Sequence, residues 1–331
     1  MRRLRDDGIR PGELEPGPHN SIADVGVTVG HVTVRRDEPV ARTGVTAVVP
    51  PLLPTAAGTA VLNGAGELTG SLEIREWGEL ETPIYLTSTH AVGRIYDGAV
   101  AAAVAADPSI GVDNVVIPVV GECDDSWLSD ARVVHVEAED AGRALAAAAA
   151  DFGEGAVGAG TGMVCMGWKG GIGTSSRQTD DGTVGVVVLA NFGSAAQLRV
   201  DSLPVGRLLE EEGAGPSTPA GSCIAVVATD APLAPAQLER LARRAGLGLA
   251  RTGSVAHHGS GEIFVALATA RGRHPDDRLD LLFQSAVEAT EEAVLNALWA
   301  AEDTTGREGR VVRALPRDDV VRLYRGRPTR A

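Results

Sequence analysis

At the junction between Gly221 and Ser222, cleavage of the peptide bond could activate the serine hydroxyl. Because glycine has no Cβ, the chain can strain there and let Ser222 attack the Gly221 carbonyl in an N-to-O acyl shift. This shift, followed by hydrolysis of the ester, would leave Ser222 as a new N-terminus, and its α-amine, with an ordinary pKa of about 7.7–8.0, is a base suited to its own hydroxyl. Gly-Ser occurs five times in the chain, so a plain loop entering a strand is the alternative interpretation.

Two further sets of residues could assist such a nucleophile. Ser260 and Glu262 stand two apart at the mouth of an apolar run, so their side chains share one side of a strand and could relay to Ser222. Asn191 ends another apolar run and could donate its side-chain amide to an oxyanion. The alternatives are a turn capped by Ser260 and a turn begun by Asn191.

A cluster of carboxylates follows the apolar run 114–120. Such oxygens could hold Mg²⁺ or Ca²⁺, bind the ammonium group of a substrate, or form a solvated surface. The cluster consists of Glu122, Asp124, Asp125 and Asp130.

Other motifs point to cofactors less specifically. His257 and His258 suggest a metal ion or a Ser-His pair, but adjacent histidines on a strand would face opposite sides and could not easily share one ion. The glycine-rich runs 158–162 and 170–176 could cradle phosphate, but they match neither a Walker loop nor a dinucleotide fingerprint. Lys169, the single lysine of the chain, is either structural or anion-binding. We expect no metal and no cofactor.

The three cysteines (Cys123, Cys165 and Cys223) have no C-x-x-C spacing, which excludes a zinc ribbon or disulfide framework. Cys223, next to Ser222, either packs in the core or makes the site sensitive to oxidation.

The bulk composition is that of a soluble globular protein. The 331 residues are 44% hydrophobic and 22% charged, and the formal net charge of −14 argues against nucleic acid and anionic membranes as partners. The charged first 20 residues lack an apolar segment, so we expect no secretory signal and a cytoplasmic location.

Short β-branched runs alternate with Ala/Leu-rich stretches, which predicts an α/β or α+β fold. The predicted strands are 25–34, 45–49, 114–120, 183–190, 222–229 and 262–270. The predicted helices are 139–151, 235–245 with a stop at Gly246, and 277–301 with Asp276 or Asp277 as N-cap and its carboxylates outside the apolar stripe. The Gly/Pro-rich stretch 210–221 is predicted to be an exposed loop.

Taken together, seven segments in this order resemble the DmpA-type aminopeptidases, the L-aminopeptidase/D-amidase/D-esterase group of peptidase family S58 that includes the β-aminopeptidases. They are NSIADVGVTVGHVTV, RTGVTAVVP, NGAGELTG, GWKGGIGTSSR, LANFGS, GSCIAVVATDAPL and HHGSGEIFVA. The resemblance spans about 20–298. It implies an αββα sandwich resembling N-terminal nucleophile hydrolases with different connectivity. It also implies a homotetramer, and one catalytic domain over 1–331 that cuts itself into 1–221 and 222–331.

The resemblance also assigns roles to single residues. Cleavage falls between Gly221 and Ser222, with Ser222 as nucleophile. Ser260 and Glu262 match the Ser-x-Glu pair, Asn191 the oxyanion donor, and Glu122 the acid that binds the substrate's amino end. Family members often carry a tyrosine near that acid as a second oxyanion donor, whereas this chain has Cys123, Asp124 and Asp125, with Trp127 the nearest aromatic residue.

The function expected is a self-processing serine aminopeptidase acting on small peptides, amides or esters through an acyl-enzyme on Ser222. The alternatives are a D-amino-acid amidase or esterase or a β-aminopeptidase on the same scaffold, a non-catalytic uncut binding protein, and a nucleotide-binding enzyme using 158–162.

Overall fold

A computed structural model describes residues 2–211 and 221–327 of the chain. Most of the predicted loop 210–221 lies outside these described residues, and its first two positions belong to a helix. The described strands are β1 Thr28–Asp37, β2 Val40–Val49, β3 Thr55–Gly64, β4 Glu79–Leu80, β5 Ile84–Ser88, β6 Val119–Cys123, β7 Val164–Cys165, β8 Trp168–Lys169, β9 Gly171–Thr179, β10 Gly182–Ala190, β11 Cys223–Thr229, β12 Gly261–Ala268, β13 Thr304–Thr305 and β14 Val311–Val312. The described α-helices are α1 Ser71–Trp77, α2 Val92–Ala106, α3 Glu139–Ala146, α4 Val205–Glu211, α5 Pro235–Arg251, α6 Leu279–Ala300 and α7 Arg317–Arg325.

Two sheets lie face to face between two layers of helices. The first sheet has the order β1-β2-β5-β6 and the second the order β4-β3-β12-β11-β10-β9. Apolar side chains from both sheets form one shared core, while α2 and α3 cover the first sheet and α5 and α6 cover the second. This is the four-layer αββα arrangement that the resemblance implied.

The second sheet positions the candidate site. Its central strands β11 and β12 are parallel, with Cys223 opposite Glu262. The antiparallel strand β10 pairs Ala190 with Cys223 on the other side of β11. The backbone pairing of these three strands therefore brings Ser222, Gly261 and Asn191 together at one end of the strands.

Several element bounds differ from those predicted. The run 25–34 begins its strand only at Thr28, because Ile22–Val25 form a 3-10 turn. The strand predicted over 114–120 begins at Val119, and the helix predicted over 139–151 ends at Ala146.

Gly246 does not stop α5, which continues to Arg251. The reason is tertiary packing against α6, since a Cβ on Gly248 would lie 2.5 Å from Thr290 Cβ and 2.6 Å from Val287 O. Only a residue without a side chain permits this helix–helix distance.

The start of α6 also differs from the prediction. Asp276–Arg278 form a 3-10 turn, and no side chain caps α6, which begins at Leu279. Asp276 accepts hydrogen bonds from Gln237 Nε2 and Arg273 Nη2 instead, each at 2.6 Å.

The prediction that the α6 carboxylates lie outside the core was wrong. Glu288, Glu291 and Glu292 are all buried. The fully buried Arg177 of β9 lies 2.8 Å from a Glu292 oxygen, and Arg5 of the N-terminal segment lies 2.8 Å from the other. Buried charges are tolerated when paired in this way, so these bonds fasten the N-terminal segment to the outer helix layer.

None of the helices in the described parts of the chain is both long and apolar enough to cross a membrane.

The contact between α5 and α6 yields a stability prediction. Gly248→Ala places a methyl group against Thr290 and should lower the free energy of unfolding by about 1–3 kcal/mol through overpacking. Gly142→Ala in α3 is the matched control, because its Cβ would meet nothing within 4 Å. Alanine's helix propensity should leave that variant unchanged or up to about 1 kcal/mol more stable. Urea unfolding of both variants measures the difference, and an unperturbed Gly248→Ala protein would contradict the packing described.

Candidate active site

Ser222 stands immediately before β11 and is buried. Its Oγ accepts a hydrogen bond from the Gly261 N–H at 3.1 Å, and its carbonyl oxygen accepts one from the Asn191 N–H at 3.0 Å. Two neighbouring strands therefore hold this hydroxyl-bearing residue.

Ser260 and Glu262 form the pair predicted from their spacing. The Ser260 hydroxyl donates to Glu262 Oε1, and both residues are buried. The other carboxylate oxygen, Oε2, is buried and has no hydrogen-bond partner among the described residues. Burial raises the pKa of Glu262, while the hydrogen bond from Ser260 and the nearby His257 oppose the rise. The strand that lies parallel to β11 thus carries an acid with unused accepting capacity.

Asn191 makes three hydrogen bonds, one through its backbone N–H to Ser222 and two through its side chain. Its Oδ1 accepts from the Val164 N–H at 2.7 Å, and its Nδ2 donates to the Asp124 carbonyl at 2.9 Å. An amide nitrogen carries two hydrogens, so one remains beyond the bond to Asp124. A Cβ on Gly221 would lie 2.4 Å from this Nδ2 and 2.1 Å from the Asn191 carbonyl oxygen. Glycine at position 221 is therefore required by close approach to Asn191.

Lys169 supports this arrangement from below. Its fully buried ammonium donates to the carbonyl oxygens of Gly160 at 3.0 Å, Met163 at 2.7 Å and Gly170 at 2.8 Å. These bonds use all three of its hydrogens. Burial lowers the pKa of Lys169 to about 7. The described contacts favour the structural interpretation, in which Lys169 ties both glycine-rich runs to the segment that holds Asn191.

Glu122 is buried at the end of β6. Its Oε1 accepts from the Glu67 N–H at 3.0 Å, and its Oε2 accepts from the Thr89 hydroxyl. Burial raises the pKa of Glu122, and these two hydrogen bonds oppose the rise. Both bonds favour the carboxylate form, which is the form that attracts an ammonium group.

The segment 63–67, made of the last two residues of β3 and the turn that follows, connects these groups, and its role was missed from the sequence. Asn63 Nδ2 donates to the carbonyl oxygens of His257 at 2.8 Å and Ser260 at 2.6 Å. At the other end of the turn, the Glu67 N–H holds Glu122. The signal was present in the run NGAGELTG, where an asparagine and two glycines follow an apolar strand.

The four carboxylates of the acidic cluster do not act as one ligand set. Asp124 accepts from Ser126, Asp130 pairs with Arg132, and Asp125 is buried with a pKa raised to about 7 by that burial. Within 2–211 and 221–327, no group of three or more His, Cys, Asp or Glu side chains is arranged to hold a metal ion.

The histidines and cysteines have local roles. His257 and His258 lie in the turn before β12, outside the strand that was predicted to begin at residue 262. His257 Nε2 is 3.4 Å from Gln197 Nε2, and His258 is exposed. All three cysteines are buried, and burial raises the pKa of each thiol, that of Cys165 to about 12. A buried, protonated thiol is unreactive, which favours packing as the role of Cys223.

Comparison with known proteins identifies the family of this chain. The sequence profile of peptidase family S58 matches residues 20–312. The β-peptidyl aminopeptidase BapA of Sphingosinicella microcystinivorans is 40% identical, over 98% of this chain and 92% of that protein. The crystal structure of a Burkholderia sp. β-aminopeptidase superposes with a TM-score of 0.92 at 40% identity, covering 100% of both chains.

A third relative comes from Ochrobactrum anthropi. It is an L-aminopeptidase D-Ala-esterase/amidase, described as a prototype for the serine aminopeptidases and as a new variant among the Ntn hydrolase fold. Its structure matches with a TM-score of 0.91 at 35% identity, covering 98% of each chain. The chain therefore belongs to peptidase family S58, and it is a hydrolase of the aminopeptidase class.

Proposed function

We propose that the chain cuts itself between Gly221 and Ser222, and that the freed Ser222 is the nucleophile of a serine aminopeptidase. The observation that carries this proposal is the contact of Gly221 with the Asn191 amide while the Ser222 hydroxyl is held by Gly261. This close approach supports the proposal, because it brings an amide donor next to the residue that carries the scissile carbonyl.

In the self-cleavage step, Ser222 Oγ adds to the Gly221 carbonyl carbon, and Asn191 Nδ2 donates to the oxyanion. The C–N bond then breaks and the Oγ proton passes to the departing nitrogen, which leaves an ester on Oγ and an α-amine on Ser222. Water hydrolyses the ester, giving chains of 221 and 110 residues. The resulting domain consists of two chains that remain joined by the β10–β11 and β3–β12 pairings.

In turnover, the neutral α-amine accepts the Oγ proton as Ser222 attacks the substrate carbonyl. The amine then passes the proton to the departing amino group. In a second step, water hydrolyses the acyl-enzyme and releases the first residue of the substrate. Ser260 and Glu262 act on this amine through their hydrogen bond. The partnerless Glu262 Oε2 supports this role, because a buried carboxylate favours a new positive charge nearby.

Glu122 binds the ammonium group at the amino end of the substrate, which restricts cleavage to the first residue. A β-aminopeptidase is the second candidate within this scheme, because two of the relatives bear that activity in their names at 40% identity. Parallel assays on L-, D- and β-alanyl p-nitroanilides distinguish the substrate classes. The homotetramer and the cytoplasmic location stay predictions.

The test of self-cleavage is the mass of the denatured protein. Native protein should give two chains whose masses sum to the 34.1 kDa precursor plus one water, the smaller beginning Ser-Cys-Ile-Ala. Ser222→Ala should give one intact chain without aminopeptidase activity, because its methyl group cannot attack. Ser194→Ala, at another Gly-Ser pair, is the matched control and should be cut. An intact, active native chain would refute the proposal.

The buried position of Glu122 predicts a pH dependence of substrate binding. Only the ionised carboxylate attracts an ammonium group, so KM should rise as pH falls through the raised pKa of Glu122, beginning above the ordinary value of about 4.3. Glu122→Gln should raise KM at least about tenfold, or about 1.4 kcal/mol, and lose this pH dependence. Glu67→Gln is the control: its backbone N–H still binds Glu122, so KM should stay native-like, and the pH dependence should move to lower pH because the Glu67 charge helps to raise the pKa of Glu122. A native-like KM in Glu122→Gln would contradict the assignment.

The two bonds of Asn63 predict a positioning role. Asn63→Ala frees the 257–260 turn, so Ser260 loses its alignment and kcat should fall roughly ten- to hundredfold while the protein stays folded. Asn114→Ala removes an exposed asparagine and should keep native kcat. Steady-state kinetics with circular dichroism measures both, and full kcat in Asn63→Ala would show that the turn needs no such support.

A further inference from the structure

A cavity of about 160 Å³ adjoins the reaction centre and has no part in the mechanism above. Asn191 and Gly221 line it on the side of the scissile bond, and Trp127, Arg307 and Arg310 line it elsewhere. Two cationic side chains beside the oxyanion donor stand out in a chain whose formal net charge is −14.

The two arginines are placed by the hairpin of β13 and β14. The Arg307 N–H donates to the Leu128 carbonyl at 2.8 Å, and a Cβ on Gly306 would lie 2.4 Å from the same oxygen. The Arg310 guanidinium stacks 4.3 Å from the centre of the Trp127 ring and donates to the Trp127 carbonyl at 3.3 Å. The hairpin tip therefore packs against Trp127 and Leu128, in the segment that follows β6.

Glu308 braces the pair from outside. Its carboxylate oxygens accept from Arg307 Nη2 at 2.7 Å and from Arg310 Nη2 at 2.5 Å, while the side chain is 56% exposed. A guanidinium has five N–H donors, so these bonds leave donors on both arginines. Asp124 also lines the cavity, but its two oxygens accept from the N–H and the hydroxyl of Ser126.

We propose that this cavity is a subsite for the α-carboxylate of the leaving amino acid, bound by Arg307 and Arg310. The inference rests on the proposed function, in which Glu122 holds the ammonium end and Asn191 faces the scissile carbonyl. The cavity contains Asn191 but none of the groups that hold Glu122, so it lies where the substrate continues beyond the cleaved bond. Guanidinium groups bind carboxylates through charge-assisted hydrogen bonds. The preferred substrate class is thus a dipeptide with a free carboxyl end.

The test compares one dipeptide with its own amide. Processed native enzyme should cleave alanyl-alanine about tenfold more efficiently in kcat/KM than the corresponding alanyl-alaninamide. The first residue of both substrates is α- or β-alanine, whichever the p-nitroanilide assay shows to be preferred. Released alanine or alaninamide is quantified by chromatography. Arg310→Gln should bring this acid-to-amide ratio close to one, mainly by raising KM for the acid. Arg307→Gln should lower the ratio in the same direction, and it provides the test if Arg310→Gln, which loses the stacking on Trp127, folds poorly.

Arg313→Gln is the matched control. It removes the same charge from the same hairpin, but its side chain is 71% exposed and paired with Asp303. It should keep the native ratio. A native ratio near one, a preference for the amide, or an equal fall in Arg313→Gln would overturn the subsite. Failure of the proposed function is distinguishable, because the chain would then stay uncut and inactive towards every alanyl p-nitroanilide as well.

Discussion

The parallel pairing of β11 with β12 is the constraint on which the remainder of the site depends. It sets Cys223 opposite Glu262, and so brings the Gly261 N–H to the Ser222 hydroxyl. Parallel neighbours need a long crossover, and α5 supplies it on the outer face of the sheet. Gly248 of α5 lets that helix lie close to α6, and the same helix connects the two strands that bring the Gly261 N–H to Ser222.

The site is assembled from backbone groups as much as from side chains. Asn63 binds two carbonyl oxygens, Lys169 binds three, and the Glu67 N–H orients Glu122. Such contacts immobilise the functional side chains before any substrate arrives, which is the preorganisation that electrostatic catalysis requires. Close packing of the backbone also explains the glycine at position 221, because a Cβ there would collide with Asn191.

Charge is distributed unevenly around the reaction centre. The buried carboxylates of Glu122 and Glu262 do not line the cavity that Asn191 shares with Arg307 and Arg310. A free dipeptide likewise carries its opposite charges apart from each other, with an ammonium at the first residue and a carboxylate at the last. The arrangement would therefore orient a substrate through its two ends.

The sequence by itself determined the local elements and the chemical types at the site. The cores of β10, β11 and β12 and the start of α5 were predicted from apolar runs and turn residues, because those signals are local. The Ser260–Glu262 pair followed from spacing, and the roles of Ser222, Asn191 and Glu122 came from the family resemblance. Only the tertiary structure decided that Asn63 holds the Ser260 turn, that α6 buries its glutamates, and that Arg307 and Arg310 reach the cavity. Each of those contacts joins segments far apart in the chain, and sheet pairing and layer packing, which no local pattern encodes, bring them together.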